Sequence, residues 1–388
     1  MDLSDESLAN WMTKIRHDLH RHPELADHEF DTTRTIKRIL TDNNIKVLDY
    51  AGKTGVLAEI GTGSGPYVAL RADIDALPLD ETSGVDYTSE TAGVMHACGH
   101  DFHTASLLGA ALLLKDQEAS FNGTIRLLFE PGEERHTGAK EMIKNGALEN
   151  ISAIAGFHNM PNLPVGTLGL KSGKLMASND NFDVEIKGVG SHAAIPEKST
   201  DPIVTLAQLI TALQTIRSRN ISPSDSLVLT VGAVSAGHTY NVIPDSASFK
   251  GTIRAYSSDD RDLAKKRFYE LVDQITQAYN QKAVIGWDKG PGSVDNDEQV
   301  TELLKQALQD TVKIVPATMS NADDDFAEYE EVVPGFYGFL GSNGPADLHH
   351  SDFVCDDRGL IYGAKFHLTA ATAMLQAVND GKLARRDQ

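Results

Sequence analysis

The apolar run Tyr67-Val68-Ala69-Leu70-Arg71 and the run Thr124-Ile125-Arg126-Leu127-Leu128-Phe129 are typical of buried strands. An apolar helical stretch from Phe102 to Lys115 lies between them, and further strand-like runs, Gly55 to Ile60 and Ile151 to Phe157, lie on either side. Near-continuous apolar strands separated by helices indicate a largely parallel sheet that is covered on both faces. The sequence therefore predicts an α/β fold with a doubly wound sheet for this part of the chain.

The pattern changes after about residue 180. Asp183 to Lys187 alternates between polar and apolar side chains, as a half-exposed strand does, and a helix, two strands, a helix and a strand follow up to Trp287. This β-α-β-β-α-β order is typical of a ferredoxin-like module. Because the first pattern resumes after Gly292, we predict a catalytic domain formed by residues 1–180 and 292–388, interrupted by an inserted domain at 181–291.

Charge and cysteine content narrow the classes of function. The 388-residue chain has a formal net charge of −20, which argues against nucleic acid or an anionic membrane as partner because polyanions would be repelled. Its two cysteines, Cys98 and Cys355, do not make a disulfide framework, which suits a reducing compartment. The acidic N-terminus lacks a signal-peptide pattern, and no stretch approaches the roughly 18 apolar residues of a membrane span. We expect a cytoplasmic protein.

One thiol and three imidazoles lie within the segment Met95 to His103. Cys98 and His100 can both bind a borderline divalent metal ion. A lone Cys-x-His pair is more often a buried cysteine beside a capping histidine. Asp101 and His103 favour the metal site, because ligating imidazoles usually need an outer acceptor that orients them.

Further polar groups follow other predicted strands. They are Asp73 and Asp75, Glu133-Glu134, His158, and the pair His349-His350 in a C-terminal loop. Each alone fits an ordinary surface or core residue. Their joint placement at the carboxyl edge of one sheet, where ligands bind in such folds, predicts a metal site assembled by folding. Hydrolysis at a metal needs one carboxylate to hold the ion and another to take a proton from water, and adjacent glutamates can divide those roles.

Three features of the inserted segment are ambiguous from the residues alone. Gly188 to Ala194, which contains His192, fits a glycine-rich turn after a strand. Asn241 fits an ordinary turn residue, and Arg254 fits an arginine on a strand.

With these residues in view, the chain resembles the bacterial metal-dependent amidohydrolases of the aminoacylase and hippurate hydrolase type. The plant hydrolases of indole-acetyl amino acid conjugates are relatives in the same family. The resemblance covers nearly the whole chain. It includes 16–25, 71–78, 95–103, 131–134, 188–196, 241–245, 251–254 and 348–353, in the family's order.

The resemblance implies a zinc-peptidase-like catalytic domain with two divalent metal ions per subunit, manganese, zinc, cobalt or nickel. The implied metal ligands are Cys98, His100, Glu134, His158 and His349, with Glu133 as the general base. It also implies that the inserted domain acts as a lid and dimerisation domain, and that His192 reaches the partner's active site. Asn241 and Arg254 match positions that contact the substrate's carboxylate. A homodimer is expected, with a tetramer as the alternative.

Three departures from the family pattern stand out. Gly132 precedes the glutamate pair where relatives usually have alanine. Where relatives commonly read Gly-Gly-Glu-Asp-Phe, this chain has Ala322-Asp323-Asp324-Asp325-Phe326. His350 is often asparagine in relatives, so either histidine of that pair could bind metal.

The leading hypothesis is hydrolysis of the amide bond of an N-acyl amino acid, most simply an N-acetyl one, to a carboxylate and a free amino acid. Hydroxide activated by two metal ions would attack the amide, with Glu133 as the base. One alternative is an amidase with Cys98 as the nucleophile, which gives the distant histidines no role. Another is a non-catalytic protein that binds metal or amino acids, which would have no need of Glu133.

Overall fold

The computed structural model describes residues 3–385, which divide into two compact units. The first unit runs up to Leu175, includes Val294–Thr318 and continues from Asp324. The second comprises Met176–Ser293 and Met319–Asp323. The sequence assigned the short segment Met319–Asp323 to the interrupted domain, whereas it packs with the second unit.

The elements are as follows in chain order. The helices are α1 (Asp5–Arg21), α2 (Phe30–Asp42), α3 (His100–Asp116), α4 (Gly138–Lys144), α5 (Pro202–Thr215), α6 (Ser258–Ala278), α7 (Glu298–Leu308), α8 (Phe326–Glu330) and α9 (Leu360–Asn379). The strands are β1 (Lys46–Val47), β2 (Val56–Gly61), β3 (Tyr67–Asp73), β4 (Thr124–Glu130), β5 (Ile151–Met160), β6 (Thr167–Leu170), β7 (Gly173–Met176), β8 (Ser178–Lys187), β9 (Ser191–His192), β10 (Leu227–Ala236), β11 (Val242–Ile243), β12 (Ser246–Ala255), β13 (Lys282–Lys289), β14 (Val294–Asn296), β15 (Lys313–Pro316) and β16 (Gly335–Gly341).

The first unit is built on an eight-stranded sheet with the order β1-β2-β4-β3-β5-β16-β6-β15. Its four central strands, β4, β3, β5 and β16, are parallel, and antiparallel pairs flank them on both sides. Every residue of β4 and β16 is buried. Because successive side chains of a strand point to opposite faces, this burial means that both faces are covered, as the apolar runs predicted.

Two long helices pack together and on the centre of this sheet. Helices α3 and α9 contact each other and β3, and they contribute Leu107, Leu108 and Phe366 to the core. Helix α1 packs on α3 through side chains such as Met12. These contacts fix the N-terminal end of α3, which begins at His100, against the carboxyl edge of the parallel strands.

The second unit contains a four-stranded antiparallel sheet with the order β10-β12-β8-β13 and the two helices α5 and α6. The strands of this sheet and the two helices follow one another in the order β-α-β-β-α-β, and the two-residue strands β9 and β11 form a separate pair. Phe182, Val184 and Ile186 are buried whereas Asp183 is exposed, which is the alternation expected of a sheet with one covered face. The ring of Phe268 from α6 lies 4.6 Å from that of Phe182, so the helix seals the covered face.

The sequence patterns predicted most of the long helices and strands, with ends within a few residues of the observed ones. They did not indicate α1, α8 or the short strands β6 and β15 at one side of the large sheet. Within residues 3–385, none of the helices combines the length and the apolar character that a membrane crossing requires.

Candidate metal centre

The carboxyl edge of the central parallel strands gathers the polar residues that follow them. Strand β3 ends at Asp73, whose register partner on β4 is Glu130, and β5 carries His158 in register with Phe339 of β16. His158 lies two residues before the strand ends at Met160 rather than at its end. Parallel strands thus bring residues that are distant in sequence to one edge, as the sequence predicted.

Cys98 lies between two of the predicted ligand histidines. Its Sγ atom is 3.4 Å from Nε2 of His158 and 3.3 Å from Nε2 of His349. The turn that presents it requires Gly99, which has φ of 85°, and a Cβ there would come within 2.3 Å of the Asn159 amide. A thiolate and two imidazoles at such separations are a typical donor set for zinc and similar ions.

His100 opens α3 and is fully buried. Its Nδ1 lies 3.1 Å from Oδ1 of Asp75, whereas Nε2 is buried without a hydrogen-bond partner. Carboxylate oxygens of Asp73 and Glu133 lie 3.7 Å and 3.9 Å from that Nε2 atom. An unpartnered buried nitrogen that faces carboxylates, with its other nitrogen held by a carboxylate, fits a metal ligand.

Glu133 and Glu134 lie in a 3-10 turn, Glu133–Arg135, that follows Gly132. Gly132 has φ of 66°, a conformation that alanine adopts only with strain, and its N–H donates to the buried Glu29 at 2.8 Å. The Glu134 N–H donates to Oδ2 of Asp75 at 3.0 Å. The carboxylates of Glu29 and Asp75 therefore hold the turn in place. Glycine, where relatives usually have alanine, suits the backbone conformation of residue 132.

The C-terminal loop brings His349, rather than its neighbour His350, close to Cys98 and Glu134. The His349 N–H donates to the Ala97 carbonyl at 2.8 Å, and its Nε2 lies 3.4 Å from Oε1 of Glu134. Cys98, Glu134 and His349 thus share one cluster, and a second one consists of Cys98, His100 and His158. Within residues 3–385, His350 is in none of the clusters that could hold a metal, although both histidines are exposed.

The clusters have an excess of negative charge. Burial raises the pKa of Glu133 well above its usual range, and the neighbouring carboxylates of Asp324, Glu134 and Asp325 raise it further. Burial lowers the pKa of His100, but Asp73 and Asp75 outweigh that effect and bring it to about 10. A divalent cation among these groups would relieve the repulsion and replace the proton on His100. The residues therefore fit one or more metal ions.

A buried set of polar residues lies behind the clusters, and three of its members, Arg71, Glu130 and Asn159, were not predicted. Nδ1 of His103 lies 2.6 Å from Oδ1 of Asp73, and Nε2 of His103 accepts the Asn159 N–H at 2.8 Å. Arg71 then donates to the other Asp73 oxygen at 2.6 Å and to Glu130 at 2.8 Å. The sequence feature that could have indicated these residues is Arg71 within an otherwise apolar strand, because a buried charge needs partners.

Asp101 does not orient His100, although its position in the sequence suggested that role. Its Oδ2 accepts from Arg16 at 3.0 Å and lies 2.9 Å from Nδ1 of His20, so it faces α1. The acceptor that orients His100 is Asp75 instead.

Two of the three candidates from the inserted segment lie together in the second unit. Strands β9 and β11 pair His192 with Val242, and Asn241 precedes this pair. His192 and Asn241 are both exposed and line a cavity of about 870 Å³ that Lys250 and His238 also line.

Arg254 lies on β12, and its guanidinium forms an ion pair with Asp323. Asp323 also accepts from Asn179 Nδ2 at 3.2 Å. This pairing was not predicted, although the departure at Asp323 is visible in the sequence.

Comparison with known proteins agrees with these features. Residues 69–373 match the profile of Peptidase family M20/M25/M40. An N-acetyl-L-cysteine deacetylase of Bacillus subtilis is 46% identical over 97% of this chain and 91% of that protein. Hippurate hydrolase of Campylobacter jejuni is 38% identical over 94% of this chain and 96% of that protein. The crystal structure of a dinuclear metal-binding peptidase of family M20 from Bacillus subtilis matches with a TM-score of 0.86 at 38% identity, covering 96% of this chain and 99% of that one.

The chain therefore belongs to Peptidase family M20/M25/M40. It is an enzyme, an amidohydrolase, and the family resemblance that the motifs indicated is confirmed.

Proposed function

We propose that this enzyme hydrolyses the amide bond of N-acyl amino acids, with N-acetyl compounds as the first substrates to examine. The main support is the convergence of a thiol, three imidazoles and a glutamate pair at one sheet edge. The names of relatives that are 46% and 38% identical, a deacetylase of N-acetylcysteine and a hippurate hydrolase, point to the same class of substrate.

In this proposal five side chains hold two divalent cations: Cys98, His100, Glu134, His158 and His349. Cys98 joins the two clusters, because it belongs to both. A cation pair supplies positive charge that lowers the pKa of a water molecule and polarises the amide carbonyl. Mixed sulfur, nitrogen and oxygen donors suit manganese, zinc, cobalt or nickel.

Glu133 is the proposed general base. Its carboxylate lies 3.9 Å from His100 Nε2 and is kept from solvent, with only 6% of the residue exposed. Burial and the neighbouring carboxylates raise its pKa, which makes the ionised carboxylate a stronger base. Bound cations would offset part of this rise and so favour the ionised form. It takes the proton of the attacking water and returns it to the leaving nitrogen.

The second unit supplies substrate contacts and the subunit interface in this proposal. Asn241 and Arg254 contact the carboxylate of the substrate's amino acid part, and His192 stabilises the oxyanion. His192 acts at the active site of the partner subunit in a homodimer, which is consistent with its exposure within one chain.

The proposal is tested with enzyme loaded with manganese and a panel that contains N-acetyl-L-cysteine, N-acetyl-L-methionine and hippurate, by measuring the released primary amine. Glu133→Gln should keep its metal and fold but lose at least about a hundredfold in kcat. Glu134→Gln, the matched neighbour, should lose bound metal as well. Undiminished turnover after dialysis against EDTA, or near-normal turnover of Glu133→Gln, would overturn the proposal.

A further inference from the structure

The guanidinium of Arg254 already has a carboxylate partner within its own unit. Asp323 pairs with Nη1 of Arg254, and the two side chains are only 23% and 11% exposed. The proposed function assigns Arg254 to a substrate carboxylate, so an internal carboxylate is present where the substrate's would bind.

The segment that presents Asp323 is fixed to the sheet of the second unit. The Ala177 N–H donates to the carbonyls of Ser320 and Ala322 at 3.1 Å and 3.0 Å. The hydroxyl of Tyr256 donates to the side chain of Asn321 at 3.0 Å. Because the three residues before Asp323 are held in this way, Asp323 cannot leave Arg254 without breaking these contacts or adopting another rotamer.

Asp323 has a second anchor that holds its carboxylate in place. The side-chain Nδ2 of Asn179 donates to Oδ2 of Asp323 at 3.2 Å, and the side-chain Oδ1 of Asn179 accepts from the Thr252 hydroxyl at 3.2 Å. Asn179 and Thr252 are neighbours of Arg254 on β8 and β12. The ion pair is thus part of a preformed network and costs little further ordering when a ligand binds.

The net charge of the Arg254–Asp323 pair determines which ligand groups it favours. Arg254 alone would present one positive charge to a ligand, whereas the pair presents none. An incoming carboxylate would gain one guanidinium and meet the charge of Asp323 at close range, and like charges side by side disfavour each other. A carboxamide carries no charge, its oxygen can accept from Arg254, and its N–H can donate to Asp323.

We infer that Asp323 is a specificity-determining residue, which shifts the preference of the Arg254 subsite from a free carboxylate towards a carboxamide or peptide group. This inference rests on the proposed function and deepens it: the preferred substrate is an N-acyl amino acid whose carboxyl group is in amide linkage. The departure from the common Gly-Gly-Glu-Asp-Phe pattern then has a chemical consequence, because a glycine at residue 323 would leave Arg254 without this partner.

The test compares N-acetyl-L-methionine with N-acetyl-L-methioninamide. Acetate release gives kcat and KM for the wild-type enzyme, Asp323→Gly and Asp323→Asn, and calorimetry gives Kd for both ligands when each variant also carries Glu133→Gln. Asp288→Asn is the matched control, because it removes one negative charge from an exposed position of the same unit. Both Asp323 variants should lower KM and Kd for the acid about tenfold, a change equivalent to about 1.4 kcal/mol. The values for the amide should not fall, and kcat should change little.

A rise in KM and Kd for the acid in both variants would show that Asp323 positions Arg254 for carboxylates, and unchanged values would show that it has no effect. Either result overturns the inference, as does failure of both ligands to bind any variant. If the wild-type enzyme releases acetate from no substrate but the acid binds about tenfold more tightly to the Asp323 variants, the proposed function fails and the inference about the subsite stands.

Discussion

Asp75 and His100 form a fully buried pair in which Oδ1 of Asp75 lies 3.1 Å from Nδ1 of His100. The second oxygen of Asp75 accepts the backbone N–H of Glu134 at 3.0 Å. One carboxylate therefore orients two of the proposed metal ligands, which lie on different elements. Outer groups of this kind typically change metal affinity by ten- to a hundredfold when they are removed.

Asp75→Asn should weaken metal binding by about tenfold to a hundredfold. An asparagine can accept from His100 through its one carbonyl oxygen, but its NH2 group then faces the Glu134 N–H, where two donors cannot bond. Competition with a chromophoric chelator measures the affinity. Asp86→Asn, at an exposed position, is the control and should bind metal normally. Equal affinity of the two variants would mean that Asp75 does not support the ligands.

The residues of the proposed metal site could be predicted from sequence because their chemistry is distinctive and because strand order brings them together. Cys98, His158 and His349 are rare residue types near strand ends or in loops, and parallel strands bring such positions together. The partners behind them are common residues such as Arg71 and Asn159, whose importance depends on burial. Burial of a single polar residue within a strand depends on tertiary packing, which periodicity does not report.

The secondary-structure elements also divide into those that the sequence indicates and those that depend on tertiary contacts. Elements with nearly continuous apolar residues, such as α3 and β4, can be recognised from the sequence, whereas the two-residue strand β1 depends on pairing with β2 across the loop between them. The Arg254–Asp323 pair joins residues that are far apart in the chain, and no local pattern indicates it. Only the departure at residue 323 pointed to that position.

Arg71→Met should destabilise the enzyme by about 3–5 kcal/mol, the usual cost of removing one partner from a buried ionic network. Arg71 is fully buried and donates to Asp73, Glu130 and Asp325, and Asp324 lies 3.3 Å from its Nη2 atom. Without the guanidinium, several buried carboxylates repel one another. Urea unfolding of the metal-free protein measures the change. Arg34→Met removes an exposed ion pair with Asp31 and should cost at most about 1 kcal/mol; a similar loss in both variants would contradict the proposed role of Arg71.

His20 should make stability fall as the pH rises from 6.5 to about 9. Burial lowers the pKa of His20, but the charge of Asp101 and hydrogen bonds with Asp101 and Glu81 outweigh it and raise the pKa to about 9. The folded state therefore binds a proton that the unfolded state loses above its pKa of about 6.5, so the stabilisation is complete below that pH and is lost as the pH rises through 9. Over this range the free energy of unfolding should fall by at most about 1.4 kcal/mol per pH unit. Urea unfolding of the metal-free protein at several pH values should show this dependence, and His20→Gln should reduce it. A variant with an unchanged slope would assign the effect to another group.

Cys98 should be slow to alkylate in the folded, metal-free enzyme, which separates a metal-ligand role from a nucleophilic one. Burial raises the pKa of its thiol well above the usual range, and the carboxylates of Glu134 and Glu133 raise it further. A catalytic cysteine needs the opposite environment, because the thiolate is the reactive form.

Iodoacetamide labelling at pH 7.5, followed by mass spectrometry, should modify Cys98 at least tenfold more slowly than the unfolded chain, an order of magnitude set by the thiolate fraction. Cys355→Ser removes the other buried thiol and leaves Cys98 as the only cysteine. Rapid labelling of Cys98, or an acyl-thioester trapped during turnover, would favour the cysteine amidase instead.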